Sequence, residues 1–224
     1  MCSSDLNKIA VLVGDYLLSK GLLLSLENKD FSILSILSNA VKKMSEGELL
    51  QIEKTRNLNF DESVYYEIIS GKTASLLASS CAAGASSVTT DKGIIEKMRA
   101  FGEDVGMAFQ IKDDLFDYGD AKVGKPTGND IKEKKLTLPL IHILQKVPAA
   151  LKKEIIYIVK NNNNDKAKVK FVIDNVVAYG GIEYAEQKMY EYRDKALNTL
   201  HHFPASATRE ALEELVRYTT DRKL

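Results

Sequence analysis

Three aspartates within five residues, Asp113, Asp114 and Asp117, are the densest concentration of chemistry in the chain. They lie in the segment Phe109-Gln110-Ile111-Lys112-Asp113-Asp114-Leu115-Phe116-Asp117-Tyr118. On a helix turning about 100° per residue, Gln110, Asp113, Asp114 and Asp117 share an arc of about 100°. Gly106 falls on the same stripe one turn earlier and opens space beside it. Asp113 and Asp117, four residues apart, bring two like charges to about 5–6 Å at Cβ, which opposes the helix by roughly 0.2–0.5 kcal/mol. A cation between them removes that cost. An all-oxygen donor set suits magnesium, which keeps several waters and takes other ligands from phosphate. The competing reading is a solvated acidic turn, and the apolar neighbours Phe109, Ile111 and Phe116 argue against it. The loop ligand order and the glycine of an EF-hand are missing.

An anion held by such a metal calls for fixed positive charge. Gly71-Lys72-Thr73 offers an ammonium and a hydroxyl. It is not the end of a Walker A loop, because Tyr66 occupies the position of that loop's first glycine. Gly124-Lys125-Pro126 and Lys132-Glu133-Lys134-Lys135 follow the aspartates in an irregular stretch, Tyr118 to Lys135, that returns toward the acidic helix end. Each lysine site also reads as ordinary surface charge when taken alone. None of the three histidines has a partner at metal-ligand spacing, and no Ser-His-Asp or Cys-His pattern occurs.

These side chains need a scaffold, and the 224 residues supply one. Hydrophobic residues make up 45% of the chain, which is enough for a sizeable core and excludes wholesale disorder. Lys plus Arg equals Asp plus Glu at 31 each, so no basic surplus favours nucleic acid. Two cysteines, Cys2 and Cys81, build neither a disulfide framework nor a zinc site and point to a cytoplasmic setting. The start lacks the basic-then-apolar pattern of a secretory signal, and no unbroken apolar run reaches the ~20 residues of a membrane span.

Apolar spacing is helical throughout and strand alternation never lasts. Stripes run over Ile9 to Leu26, Phe31 to Ile52, Phe60 to Ile69, the small-residue stretch Lys72 to Ala85, and Ile94 to Phe109. Further helices are expected around His142, over Leu151 to Lys160, from Lys166 to Gly180-Gly181, and from Ile182 to His201. A last one runs from a Ser206 cap through Arg222, and Asp165 is a second expected cap. The expectation is one all-α domain of roughly eight to ten helices over residues 7–224.

With these motifs in order, the chain resembles the all-trans isoprenyl (polyprenyl) diphosphate synthases. The resemblance is carried by Val13-Gly14-Asp15-Tyr16-Leu17, Glu46-Gly47-Glu48-Leu49-Leu50-Gln51 and Gly71-Lys72-Thr73-Ala74. It continues through Phe101-Gly102, the Phe109–Asp117 segment, Gly124-Lys125-Pro126, Gly128-Asn129-Asp130 and Lys135-Leu136-Thr137-Leu138-Pro139. Residues 1–6 match nothing expected of the family. The resemblance implies a helix bundle around a deep apolar cavity, a homodimer, and magnesium-dependent condensation of an allylic diphosphate with isopentenyl diphosphate. Peripheral membrane contact would serve release of the apolar product.

By the same resemblance, Asp113, Asp114 and Asp117 hold magnesium. Lys72, Thr73, Gln110, Lys125 and Lys135 contact the allylic diphosphate or assist charge separation beside it. Many members carry glycine before the last lysine, where this chain has Lys134. The resemblance also implies an upstream first aspartate-rich motif and a basic isopentenyl diphosphate site, and the only acidic residue before Asp15 is Asp5. The chain therefore reads as the C-terminal two-thirds of a synthase, with negligible activity expected of it alone. A non-catalytic partner subunit and a purely structural helical module are the alternatives.

Overall fold

The computed structural model describes residues 3–57, 61–119 and 127–222. Lys125 and Cys2 lie outside them. No strand occurs among the described residues, as an all-α chain requires. The helices are α1 (Ser3–Glu27), α2 (Phe31–Asn57), α3 (Glu62–Ile69), α4 (Ser75–Ser86), α5 (Lys92–Phe116), α6 (Asn129–Lys132), α7 (Leu138–Lys146), α8 (Ala149–Asn161), α9 (Lys166–Ala178), α10 (Gly181–Leu200) and α11 (Ala207–Asp221).

The caps follow the sequence. Asp165 accepts from the backbone N–H of Ala167 and Lys168, and Ser206 accepts from that of Arg209. Asp91 caps α5 in the same way. Gly180 takes a left-handed conformation (φ 74°) between α9 and α10, the conformation glycine adopts without penalty.

Helix α5 is the spine. It packs mainly on α4 and α10, with α11, α7 and α3 around it. Its close approach to α4 and to the turn just before it depends on two glycines. A Cβ on Gly102 would stand 2.5 Å from the Leu77 carbonyl oxygen, and one on Gly106 would stand 2.5 Å from Ala74 Cα. A larger core joins Ile111, Leu138, Ile141, Ile155, Val172 and Met189, and a smaller one joins Phe101, Val105, Leu200 and Val216.

Three sequence expectations change. Lys72 to Ala85 is not one α-helix, because Ser70–Ala74 forms a π turn between α3 and α4. The stretch before Lys135 is not wholly irregular, because α6 interrupts it. Leu6–Glu27, 22 residues, is long and apolar enough to span a membrane by length and composition, although charges interrupt it. None of its most apolar window is buried, and Val11, Leu12, Val13 and Leu17 face outward.

Candidate functional site

The π turn fixes where the site forms. Five residues of widened backbone carry Gly71, Lys72 and Thr73 past α2 and α5, and such turns collect at functional sites. Gly71 lies against Gly47 of α2, where a Cβ on Gly47 would come within 2.6 Å of Lys72 N. This glycine-on-glycine crossing lets α2 side chains reach Lys72. Thr73 faces α5 and donates through Oγ1 to Gln110 Oε1 at 2.8 Å.

From Thr73 a hydrogen-bond chain continues inward. Gln110 Nε2 donates to Asp114 Oδ1 at 2.9 Å, and the Tyr65 hydroxyl donates to Asp114 Oδ2 at 2.7 Å. Asp114 is buried, and burial pushes its carboxyl up to about 7 against the opposing pull of the Tyr65 and Gln110 bonds. The charges of Asp130 and Asp113 push the same way. Tyr65 is itself held well above the usual phenol range by burial and by Asp114.

These groups line a cavity of about 240 Å³ together with Lys72, Asp113, Asp130 and Lys135. Ile68, Ile69 and Leu136 form its apolar wall. Lys72 Nζ sits 2.7 Å from Glu48 Oε2 and 3.2 Å from Gln51 Oε1. Lys135 pairs with Glu133 and lies 3.5 Å from Asp130 Oδ1. Burial works against the Lys135 charge, but Glu133 and Asp130 outweigh it and raise the ammonium above its ordinary value.

Of the residues singled out in the sequence, the cavity thus gathers Lys72, Thr73, Gln110, Asp113, Asp114 and Lys135. Asp117 is not part of its lining. Its carboxylate turns to α6 and accepts from the backbone N–H of Asn129 at 2.7 Å and of Asp130 at 3.1 Å. Burial and Asp130 push Asp117 up to about 6 despite those bonds. Lys125 falls outside the described residues.

Sequence reasoning passed over Tyr65 and Asp130. Asp130 had a signal, since it closes the Gly128-Asn129-Asp130 motif. Tyr65 had none, because a tyrosine before an apolar pair reads as core. In the cavity, carboxylates, amides and lysines share the lining with the aliphatic wall.

The donor chemistry fits a hard divalent cation. Burial raises the carboxyls of Asp114 and Asp130, and the acidic charges beside them, Asp113 among them, push the same way. Each Asp114 oxygen takes one hydrogen bond and keeps a lone pair. Among the described residues, no three His, Cys, Asp or Glu side chains form a complete ligand group. Two carboxylates completed by water and phosphate is the arrangement magnesium favours.

Geometry and sequence meet in the comparisons. A family model, Polyprenyl synthetase, matches residues 3–176. The chain belongs to the polyprenyl synthetase family. This synthetase-family chain is 30% identical over 219 residues to solanesyl diphosphate synthase 1, chloroplastic, of Arabidopsis thaliana, covering 96% of the chain and 52% of that protein. It superposes on geranylgeranyl pyrophosphate synthase from Bacteroides thetaiotaomicron with a TM-score of 0.89 and 39% identity, covering 96% of this chain and 72% of that one. Polyprenyl synthase from Caulobacter crescentus, solved with calcium and isoprenyl diphosphate, matches at a TM-score of 0.88 and 34% identity, covering 97% and 67%. The synthetase-family chain spans about half the length of the plant synthases it matches, 52% and 53%.

Proposed function

We propose that this chain carries the allylic diphosphate half of a trans-polyprenyl diphosphate synthase. The observation that carries this reading is the continuous chain Thr73–Gln110–Asp114–Tyr65 in a cavity that also presents Asp113, Lys72 and Lys135. It orients a buried carboxylate from behind while leaving cations at the rim.

In this reading Asp113, Asp114 and Asp117 form the acidic set that holds magnesium, Asp117 also accepting from the α6 backbone. The ion, when bound, supplies charge stabilisation for the departing diphosphate. Lys72 and Lys135 grip diphosphate oxygens, where negative charge grows as the allylic C–O bond breaks and its electron pair leaves with oxygen, and Thr73 joins them by giving up its bond to Gln110. Tyr65 and Gln110 keep Asp114 in one orientation. Ile68, Ile69 and Leu136 keep water from the allylic cation until the double bond of isopentenyl diphosphate attacks it. The proton lost afterwards passes to the diphosphate. Lys125, in the Gly124-Lys125-Pro126 motif, joins the diphosphate-binding set by resemblance. The small-residue face of α4 forms a wall for the growing chain, and a medium or long product of the quinone side-chain kind is the favoured outcome.

The exposed apolar surface of α1 supports a homodimer, since apolar patches of this kind are covered in protein interfaces. Cys81, without a disulfide partner among the described residues, agrees with a cytoplasmic setting. The acidic set favours this reading over a non-catalytic partner subunit; co-purification with an active homologue would favour the subunit. The deciding experiment is calorimetry with magnesium pyrophosphate, which needs only residues of this chain. Binding should require magnesium and should vanish in Asp113→Ala with Asp117→Ala. Binding that ignores both magnesium and the double substitution would sink the proposal.

A further inference from the structure

Each rim lysine stands between two spaces, and Lys135 has a partner on either side of it. Lys72 and Lys135 line both the cavity and a neighbouring outer cleft of about 400 Å³. Glu48 and Glu133 line the outer cleft but not the cavity, whereas Asp130 lines the cavity but not the cleft. Gln51 lines both.

The shorter contact is the outer one in both cases. Lys72 Nζ is 2.7 Å from Glu48 Oε2 and 3.2 Å from Gln51 Oε1. Lys135 Nζ is closer to Glu133 Oε2 than to Asp130 Oδ1, which is 3.5 Å away. Lys72 also acts electrostatically on Glu133, so Glu48, Lys72, Glu133, Lys135 and Asp130 form one run of alternating charge. This run joins α2, the π turn and the α6–α7 connection.

We propose that Glu48 and Glu133 are outer counter-ions that draw Lys72 and Lys135 away from the cavity, so that a diphosphate engages the lysines only by displacing these carboxylates. The inference rests on the diphosphate-binding reading above and adds two residues to it. The pairs suit exchange because they are half exposed. Lys72 and Glu48 side chains are 37% and 46% accessible, and Lys135 and Glu133 are 34% and 60% accessible. Ion pairs this open to water are weak and trade partners readily. A diphosphate offers each lysine a stronger, more highly charged acceptor. The device also favours departure of the inorganic product, since the released lysines have partners waiting.

Calorimetry with magnesium pyrophosphate on the full chain at low salt tests this. Glu48→Gln and Glu133→Gln should each tighten binding by about 1.5- to fivefold, the range expected from losing one competing exposed ion pair. Glu48→Asp, which keeps the charge, should bind like the parent. In a Lys72→Met background, Glu48→Gln should have no effect. Added potassium chloride should narrow the gap between parent and variants.

If the two Glu→Gln variants melt like the parent yet bind equally or more weakly, the glutamates are mere tethers and the inference fails. In that case a parent still dependent on magnesium, Asp113 and Asp117 leaves the diphosphate-binding reading standing. A parent chain that does not bind magnesium pyrophosphate at all overturns both.

Discussion

Helices α1 and α5 are both 25 residues long and sit in opposite circumstances. Helix α1 is the more apolar, yet Val11, Leu12, Val13, Leu17, Leu23 and Leu24 are exposed. Helix α5 carries Lys97, Arg99, Asp104, Lys112, Asp113 and Asp114, yet it packs along both α4 and α10 and buries Phe101, Val105, Ile111 and Leu115. Apolarity alone therefore does not choose what a chain buries against itself. Helix α5 is patterned: apolar residues keep to two seams, and Gly102 and Gly106 let α4 come within backbone contact. Helix α1 is apolar nearly all round, the pattern of a helix that is to be surrounded. Its two glycines, Gly14 and Gly21, meet nothing within 4 Å.

The contrast breaks most sharply at the α5 glycines. Gly102→Val should cost about 3 kcal/mol in urea unfolding, because its side chain meets the α4 backbone rather than a movable side chain. Gly14→Ala in α1, with open space around it, should be neutral or slightly stabilising in the same measurement. Equal costs at the two sites would show that close approach is not what separates the helices.

Next in size is Tyr65→Phe, which removes a donor to Asp114 and leaves a buried carboxylate oxygen short of a partner. It should cost about 1–3 kcal/mol. Asp114→Asn in the Tyr65→Phe background should recover part of that loss.

A smaller effect follows from Asp104, which faces α10 from α5. Burial pushes its carboxyl up to about 6, against the pull of Lys195. A raised carboxyl means that the folded chain binds the proton more tightly than the unfolded chain. Its stabilising contribution is thus full below about pH 4 and is lost as pH rises through 6. Asp104→Asn should flatten that part of the melting-temperature profile between pH 4 and 7, and an unchanged profile would assign the dependence elsewhere.

The smallest effect on unfolding belongs to α1. Leu12→Ser with Leu17→Ser should shift stability by no more than about 0.5 kcal/mol, since exposed positions contribute little within one chain. The same variant should weaken self-association in sedimentation velocity. A large loss of stability with unchanged association would reverse the roles assigned to α1 and α5.

What could be read in the sequence was whatever repeats locally. The Asp113–Asp117 face follows from 3.6-residue periodicity, and the Asp165 and Ser206 caps follow from side-chain chemistry one turn long. Partners across the fold were not legible. Asp114 meets Tyr65, 49 residues earlier, and Asp117 bonds to backbone 12 and 13 residues later. No spacing rule distinguishes those two fates for neighbouring carboxylates on one stripe. The π turn escaped because Gly71 is the one poor helix former in Ser70 to Ala74, and a lone glycine is tolerated within many α-helices. Tertiary packing of Gly71 on Gly47 selects it. The potential span in α1 escaped because interspersed charges break its apolar run without removing its overall hydropathy.

That wide turn also sets a phase. A π turn takes up one surplus residue by local widening, so the rod runs on nearly in place while the sequence slips against it by one residue, about 100° of helical phase. The apolar seam of α3 and that of α4 are thus written in two different frames, with Lys72 and Thr73 at the splice. Deleting one residue there would heal the rod and leave α4 on α5, but it would remove the bulge that carries Lys72 and Thr73 to the site, whereas a conservative exchange would leave the frame untouched. At this joint the spacing of the chain is held more strictly than its chemistry.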